Sequence, residues 1–174
     1  MEWTSKSLPY LTARPPGAAD AWTEEALGAG RRGSQRILHA GGTAAPAAVA
    51  AMLGLTAGST VVVRRRIIEL DGEPTELTVT YPPNMAAGTP LACTATLLAA
   101  LGHIGVRVVE DVTALMPLDG EREQLCLGAA EPVLRLARTT YDAADSPVQA
   151  DVMLMPTGRQ QLRYEISLAP SRPG

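Results

Sequence analysis

The stretch VVVRRRIIELDGEPTE, residues 61–76, carries three consecutive arginines inside an otherwise apolar, β-branched segment. Alternation along a strand puts Arg64 and Arg66 on one face, here called the arginine face, and Arg65 on the other. A guanidinium in an apolar row needs an anionic or acceptor partner to offset its desolvation. Two guanidinium groups at alternate positions suit bidentate binding of phosphate, sulfate or carboxylate. Ion pairs with the protein's own acids are the alternative explanation.

The hairpin register decides whether a carboxylate joins these arginines. An Asp-Gly turn at residues 71–72 separates two strand-like segments, which predicts a β-hairpin. A two-residue loop directs Glu76 away from the arginine face. A three-residue loop places Glu76 on that face, together with Thr78 and Thr80. The sequence is compatible with both loops.

Known catalytic and metal-binding motifs are missing from the sequence. It has no GxSxG elbow, Walker loop or HExxH motif. His39 and His103 are isolated, so we expect no metal site and no cofactor. Glu110, Asp111 and Asp151 are candidates for acid–base chemistry, but no spacing in the sequence requires them to meet. We therefore do not expect an enzyme.

Composition limits the class of protein. The 174 residues are enough for one domain with its own core. A net charge of −3 argues against nucleic-acid binding through bulk charge. No apolar run reaches the roughly 20 residues of a membrane span, and the N-terminus lacks the apolar core of a signal peptide. Cys93 and Cys126 lie in apolar surroundings and are expected to be buried, reduced thiols, which indicates a cytoplasmic protein.

Periodicity and turn signals predict the α+β class with a mostly antiparallel sheet. Residues 1–45 are poor in periodic pattern and contain one short helix. A helix is expected to begin at its cap Asp119 and to end before Gly128. Two further helices are predicted at residues 46–54 and 94–101. Strands are predicted at residues 61–70, 75–81, 106–116, 132–141, 148–155 and 160–168. Short connections favour an antiparallel meander for the last three strands.

Three segments together resemble a known domain. They are VAAMLGLTAGSTVVVRRRIIELDGEPTELTVTYPP, TATLLAALGHIGVRVVEDVTALMP and LGAAEPVLRLARTTYDAADSPVQADV, within about residues 46–166. Their order and spacing resemble the UTRA domain, the effector-binding domain of bacterial GntR-type transcriptional regulators of the HutC subfamily.

The resemblance implies a fold and a role. The fold is chorismate-lyase-like, with a mostly antiparallel sheet flanked by helices, a ligand cleft on the sheet and a homodimeric assembly. The implied role is to sense a small metabolite and to alter how an attached winged helix-turn-helix binds operator DNA. The alternatives are a chorismate-lyase-like enzyme and a dimerisation module that binds no ligand.

The resemblance also implies ligand-binding residues. In sugar-phosphate-sensing members, an R-x-R pair on the first hairpin strand and a Glu on the second hold the ligand. Arg64, Arg66 and Glu76 match this pattern, which favours the register with Glu76 on the arginine face. Thr78, two residues further along the same strand, joins the implied site.

Further positions follow from the same resemblance. The small hydroxyl residues before the family's central helix correspond to Thr94 and Thr96, which suit anion binding at a helix N-terminus. The PVE that begins the penultimate strand in many members is PVQ here, so Gln149 replaces a carboxylate. The loss of that charge argues against an amino-sugar ligand.

The N-terminal part departs from the family pattern. Only about 45 residues precede the resemblance, and they show no helix-turn-helix pattern. We expect residues 1–45 to form an extension that packs on the domain through Trp3, Tyr10 and Trp22. The effector-binding domain is then residues 46–168, with a tail at 169–174. This organisation favours a stand-alone effector domain that acts on DNA through a partner, over a piece of a longer regulator.

Overall fold

The computed structural model describes residues 3–5, 21–82 and 105–164. Within these residues, six strands form one antiparallel sheet with the order β2-β3-β4-β7-β6-β5. The elements in chain order are β1 (Trp3–Ser5), α1 (Ala21–Gly28), β2 (Gly33–Ala44), α2 (Ala47–Met52), β3 (Thr60–Leu70), β4 (Glu73–Tyr81), β5 (Arg107–Leu115), α3 (Asp119–Gln124), β6 (Val133–Tyr141), β7 (Pro147–Pro156) and β8 (Gln160–Leu162). The predicted α+β class with a mostly antiparallel sheet is confirmed.

Strand β2 is absent from the sequence-based prediction. It lies at one edge of the sheet and pairs with β3. All of its residues are exposed or half-buried, and Gly41 and Gly42 interrupt it. An irregularity between Ile37 and His39 also shifts its register. Exposure, glycines and the register shift together remove the alternation by which a strand is recognised.

The last strand also differs from the prediction. β6 and β7 form the expected antiparallel hairpin, but β8 pairs in parallel with β1 in a separate two-stranded sheet. The predicted three-stranded meander is therefore wrong at its third strand. The predicted helix at residues 94–101 lies outside the described residues, as do Cys93 and His103.

Helix α3 begins and ends differently from the prediction. Leu118 is its N-cap residue, and the Leu118 N–H donates to Glu121 Oε2 at 2.9 Å. Asp119 is therefore the first helical residue rather than the cap. Cys126 adopts a positive φ of 51° two residues past the helix, so the chain turns before Gly128 is reached. Cys126 is exposed and free, which corrects the expectation of a buried thiol.

The β3–β4 hairpin has a tight turn. Leu70 pairs with Glu73, so the loop consists of residues 71–72 alone. Asp71 and Gly72 have positive φ values of 55° and 86°. Positive φ at both central residues is what a type I′ turn requires, and this turn matches the twist of the two strands. The loop therefore has the two-residue length that, on simple counting, points Glu76 away from the arginine face.

A β-bulge at Thr75 reverses that outcome. Glu69 pairs with Pro74 and Ile68 pairs with Glu76, so Thr75 is an extra residue in β4. The Thr75 hydroxyl donates to the Ile68 carbonyl at 3.2 Å, and its own carbonyl accepts from Gln160 Nε2 at 2.9 Å. One extra residue exchanges the two faces of the strand that follows. Glu76 thus lies on the arginine face, although the loop has two residues.

The core occupies the opposite face of the sheet. Side chains of β3, β4 and β7 there pack against α2 and against Leu125, which follows α3; they include Val61, Val63, Ile67, Leu77, Tyr81, Ala150 and Leu154. Helix α1 packs on the arginine face near the β3–β4 turn, where Trp22 and Ala26 form an apolar cluster with Ile68 and Leu70. Trp22 Nε1 also donates to the Glu69 carbonyl at 3.0 Å. Trp22 thus contacts β3, whereas the division of the chain into an extension at residues 1–45 and a domain stays a prediction. In the described parts of the chain, no helix is long and apolar enough to span a bilayer.

We expect Gly72→Ala to destabilise the fold by about 1 kcal/mol, because an alanine is strained at positive φ. The matched control is Gly120→Ala. A Cβ at either position meets no atom within 4 Å, but Gly120 is in α3 at ordinary helical φ. This control should leave the free energy of unfolding unchanged or increase it. Urea denaturation of both variants measures the difference, and equal stability of the two would contradict the turn assignment.

Candidate ligand-binding site

A row of polar side chains crosses the arginine face from β3 to β5. Arg64 is opposite Thr80, Thr80 is opposite Asp151, Asp151 is opposite Arg138, and Arg138 is opposite Glu110. Residues that are directly opposite on neighbouring strands share a face. The first four of these residues are buried, with at most 6% of their surface exposed. The row therefore consists of charged groups held away from water on the middle strands of the sheet.

The neighbouring row combines polar and apolar side chains. Arg66 is opposite Thr78, and Thr78 is opposite Met153, which pairs in turn with Leu136. Arg66 donates from Nη1 to the side-chain oxygen of Gln35 at 3.2 Å. The face thus offers guanidinium and hydroxyl groups on β3 and β4, and an apolar surface on β6 and β7.

Burial and repulsion both act on the arginine pair. Burial, and then the nearby charge of Arg66, together lower the pKa of Arg64 to about 10. Arg64 still carries its charge at neutral pH. An anion placed between the two guanidinium groups would offset both the desolvation and the repulsion.

Glu76 is also perturbed by its position. Burial raises the pKa of its carboxyl, and the nearby Asp151 acts in the same direction. The Thr78 hydroxyl donates a hydrogen bond to the carboxylate, and the charges of Arg66 and Arg138 also lower this pKa. The charges of Arg66 on β3 and Arg138 on β6 therefore both act on the Glu76 carboxyl.

One internal ion pair satisfies part of the charge. Arg138 contacts Glu110 Oε1 through Nε at 2.7 Å and through Nη2 at 2.6 Å. Tyr164 donates to the other oxygen of Glu110 at 2.9 Å. An internal ion pair thus occurs on this face at Arg138, a residue that the sequence analysis did not single out.

Gln149 lies at the end of the same face on β7. It is opposite Thr140 and has none of its surface exposed. Its side-chain nitrogen donates to Asp151 Oδ2 at 2.8 Å. The amide is therefore held by a buried carboxylate two residues along its own strand.

The structure brings most of the proposed site residues together. The arginine face carries Arg64, Arg66, Glu76, Thr78 and Gln149. Whether they bind a ligand stays a prediction.

Two proposed residues, Thr94 and Thr96, lie outside the described residues. Among the acids considered for acid–base chemistry, Glu110 and Asp151 are on this face, but Asp111 alternates to the other face, where it is opposite Ala137. Within residues 3–5, 21–82 and 105–164, no group of three or more His, Cys, Asp or Glu side chains is placed to hold a metal ion.

Arg138 and Thr140 complete the face, and the sequence analysis did not select them. Their signal was present as polar residues at alternate positions of the strand VLRLARTTY. The same alternation occurs at Gln149 and Asp151 in β7. Polar alternation is typical of a solvent-exposed face, so only the burial of these residues distinguishes a site from a surface.

Comparisons with known proteins agree with this architecture. The family model of the UTRA domain matches residues 28–161. The effector domain of PhnF from Mycobacterium smegmatis has a TM-score of 0.70 and 21% identity, over 89% of this chain and 99% of that chain. The ligand-binding domain of a protein assigned to the GntR family of transcriptional regulators, from Bordetella bronchiseptica, has a TM-score of 0.68 and 26% identity, over 78% and 90%.

A third structure is the C-terminal domain of the histidine utilization repressor from Pseudomonas syringae. Its TM-score is 0.66 at 20% identity, over 78% of this chain and 99% of that chain. No curated protein sequence matches the chain.

These matches bear on the fold and the family. The structural neighbours are effector or ligand-binding domains of transcriptional regulators, which supports a regulatory domain that binds an effector. The family match begins at residue 28 and so includes β2, whereas the division of the chain at residue 46 stays a prediction. Since the family model covers residues 28–161 of 174, the chain belongs to the UTRA domain family.

Proposed function

We propose that this chain senses a small polar or anionic metabolite on the arginine face and thereby modulates transcription in the cytoplasm. One observation carries the proposal. Two arginines at alternate positions of β3 lie on the same face as the Glu76 carboxyl and the Thr78 hydroxyl; Arg64 and Thr78 are buried, and Arg66 and Glu76 are half-buried. Buried like charges are costly unless a partner offsets them, and a bound anion is such a partner.

The chemistry of the face defines what it can bind. Guanidinium groups bind carboxylate or phosphate oxygens in a bidentate manner, and the nearby threonine hydroxyls can donate or accept. The apolar surface of Met153 and Leu136 provides contact for a carbon skeleton. A small metabolite with one anionic group and a short carbon chain fits this combination.

The output of the domain requires a second site. A ligand alters transcription only if its binding changes the affinity of a coupled site for DNA. In GntR-type regulators that site is a winged helix-turn-helix, so the proposal includes a DNA-binding partner or domain, in a homodimeric assembly. Size-exclusion chromatography with light scattering tests the homodimer, and a monomer at micromolar concentration would contradict it.

The first experiment is a thermal-shift screen of the chain against sugar phosphates, amino-acid catabolites and aromatic acids. A ligand at about 100 times its Kd stabilises the fold by about 2.7 kcal/mol, which raises Tm by roughly 5–10 °C for a domain of this size. We expect Arg66→Ala to abolish the shift, because it removes one of the two guanidinium groups.

The matched control for this screen is Arg65→Ala. Arg65 is the next residue on the same strand but points to the opposite face, opposite Val79. It should keep the ligand-induced shift even if its own Tm changes. An equal loss in both variants would contradict a site on the arginine face. Product formation from the ligand would indicate a chorismate-lyase-like enzyme, and no shift with any compound would favour the dimerisation module.

Anion binding should strengthen as the pH falls. Because the pKa of folded Glu76 lies above the ordinary value of 4.5, lowering the pH neutralises this carboxyl before other acids with ordinary pKa values. Neutral Glu76 no longer competes with a bound anion for Arg66. Sulfate is a suitable probe because it stays a dianion throughout. Titration calorimetry between about pH 8 and pH 5 should give a decreasing Kd.

The control for this titration is Glu76→Gln, in which the pH dependence should largely disappear. The same shift has a consequence for stability without ligand. Because the pKa of Glu76 is higher in the folded state, protonation of this carboxyl stabilises the fold. This contribution to the free energy of unfolding is fully present below pH 4.5 and is lost as the pH rises through the folded-state pKa. A sulfate affinity that weakens on acidification, or a variant as pH-dependent as the parent, would contradict this role of Glu76.

A further inference from the structure

We propose that Asp151 fixes the orientation of the Gln149 side-chain amide, and that the Gln149 carbonyl oxygen accepts a hydrogen bond from a hydroxyl group of the effector. The inference rests on the proposed function, because it concerns the same face of the sheet. It adds a second requirement to the anionic group: the effector carries a neutral hydrogen-bond donor a few bonds away from it.

The orientation of the amide follows from its one hydrogen bond. Gln149 Nε2 donates to Asp151 Oδ2 at 2.8 Å, and 0% of Gln149 and 2% of Asp151 are exposed. A carboxylate accepts but does not donate, so only the NH₂ end of the amide can face it. The Gln149 oxygen must then point away from Asp151. The carboxylate thereby turns a group that can both donate and accept into an acceptor.

The Gln149 oxygen is buried without a partner. Among the described residues, Gln149 Oε1 makes no hydrogen bond, and the hydroxyl oxygen of the cross-strand neighbour Thr140 makes none either. A buried acceptor that lacks a donor costs free energy, and native proteins satisfy nearly all such groups. Two adjacent groups in this state on a candidate binding face are explained by a ligand that supplies the missing hydrogen bonds.

The acceptor that Gln149 offers is matched by a neutral donor. Asp151 is opposite Arg138, and Arg138 is itself paired with Glu110. The atom presented to the ligand is an uncharged amide oxygen, whereas the carboxylate itself is engaged by the amide nitrogen. A hydroxyl group satisfies this acceptor without introducing a charge.

Strand spacing limits the size of the ligand. Arg64 and Asp151 are opposite the same residue, Thr80, so their backbones are two strand intervals apart, about 10 Å. The arginine side chain extends over part of that distance. The anionic and hydroxyl groups of the effector are therefore separated by only a few carbon atoms. A short polyol phosphate or hydroxy acid has these properties.

The test uses a matched pair of anions, sn-glycerol 3-phosphate and propyl phosphate. Both have three carbons and one phosphate monoester, and only the first has hydroxyl donors. We expect the parent chain to bind glycerol phosphate about tenfold more tightly, the effect of one hydrogen bond to a buried acceptor. Gln149→Met should reduce this ratio to within about twofold of one.

Variants at Asp151 separate positioning from structural support. Asp151→Leu should remove the preference for glycerol phosphate. Asp151→Asn retains an oxygen that can accept from Gln149 Nε2 and should preserve the preference. The side-chain amide signals of Gln149 in a ¹⁵N-edited spectrum, assigned by their loss in Gln149→Met, should move in Asp151→Leu and shift on addition of glycerol phosphate but not of propyl phosphate.

The outcomes distinguish this inference from the proposed function. Equal affinity of the parent chain for both phosphates, or an unchanged ratio in Gln149→Met, overturns the role of Gln149 and leaves the anion site standing. Binding of neither phosphate overturns both proposals for phosphate ligands. If Asp151→Leu does not fold, Gln149→Met and the spectrum of the parent chain still decide the question.

Discussion

The arrangement of the candidate site depends on one irregularity, the bulge at Thr75. With a two-residue loop and a regular ladder, β4 would direct Leu77 and Val79 to the arginine face. It would direct Glu76, Thr78 and Thr80 into the core. The extra residue exchanges these faces and so places Leu77 in the core and Glu76 beside Ile68. Two hydrogen bonds hold Thr75, one of them from Gln160. Bulges that re-aim side chains are frequent near functional sites.

Burying the polar row costs folding free energy, because charged side chains lose their hydration. The buried or half-buried side chains of the described strands contribute three arginines and three acids to the arginine face: Arg64, Arg66, Arg138, Glu76, Glu110 and Asp151. Their charges balance in number, and two short contacts hold Arg138 and Glu110 together. The pKa values of Arg64 and Glu76 are both shifted toward the neutral form by burial. This strain is localised on β3 and β4, where the ligand is proposed to bind.

Much of the fold could be predicted from the sequence, because the sequence patterns that indicate β3, β4, β6 and β7 are local. Alternating β-branched residues and the Asp-Gly turn act within a few positions of each other. The bulge could not be predicted from the sequence, because the Thr75 carbonyl accepts a hydrogen bond from Gln160, which is 85 residues away. Edge strand β2 lacked a pattern because none of its side chains is fully buried. Arg138 was missed for a related reason, as its partner Glu110 is on a neighbouring strand that only the sheet order reveals.

The contrast between Arg65 and its two neighbours shows why the sequence pattern was ambiguous. Three consecutive arginines cannot all serve one face of a strand, and Arg65 lies among core side chains, where its charge acts on Tyr81. Burial raises the pKa of the Tyr81 hydroxyl, and Arg65 opposes that rise. The basic triplet therefore contributes to two faces: Arg65 lies on the core face, and Arg64 and Arg66 form the pair that we propose to bind an anion. Local sequence preference and global fold disagree most at these arginines, and such disagreement is expected where function, rather than stability, has determined the residue.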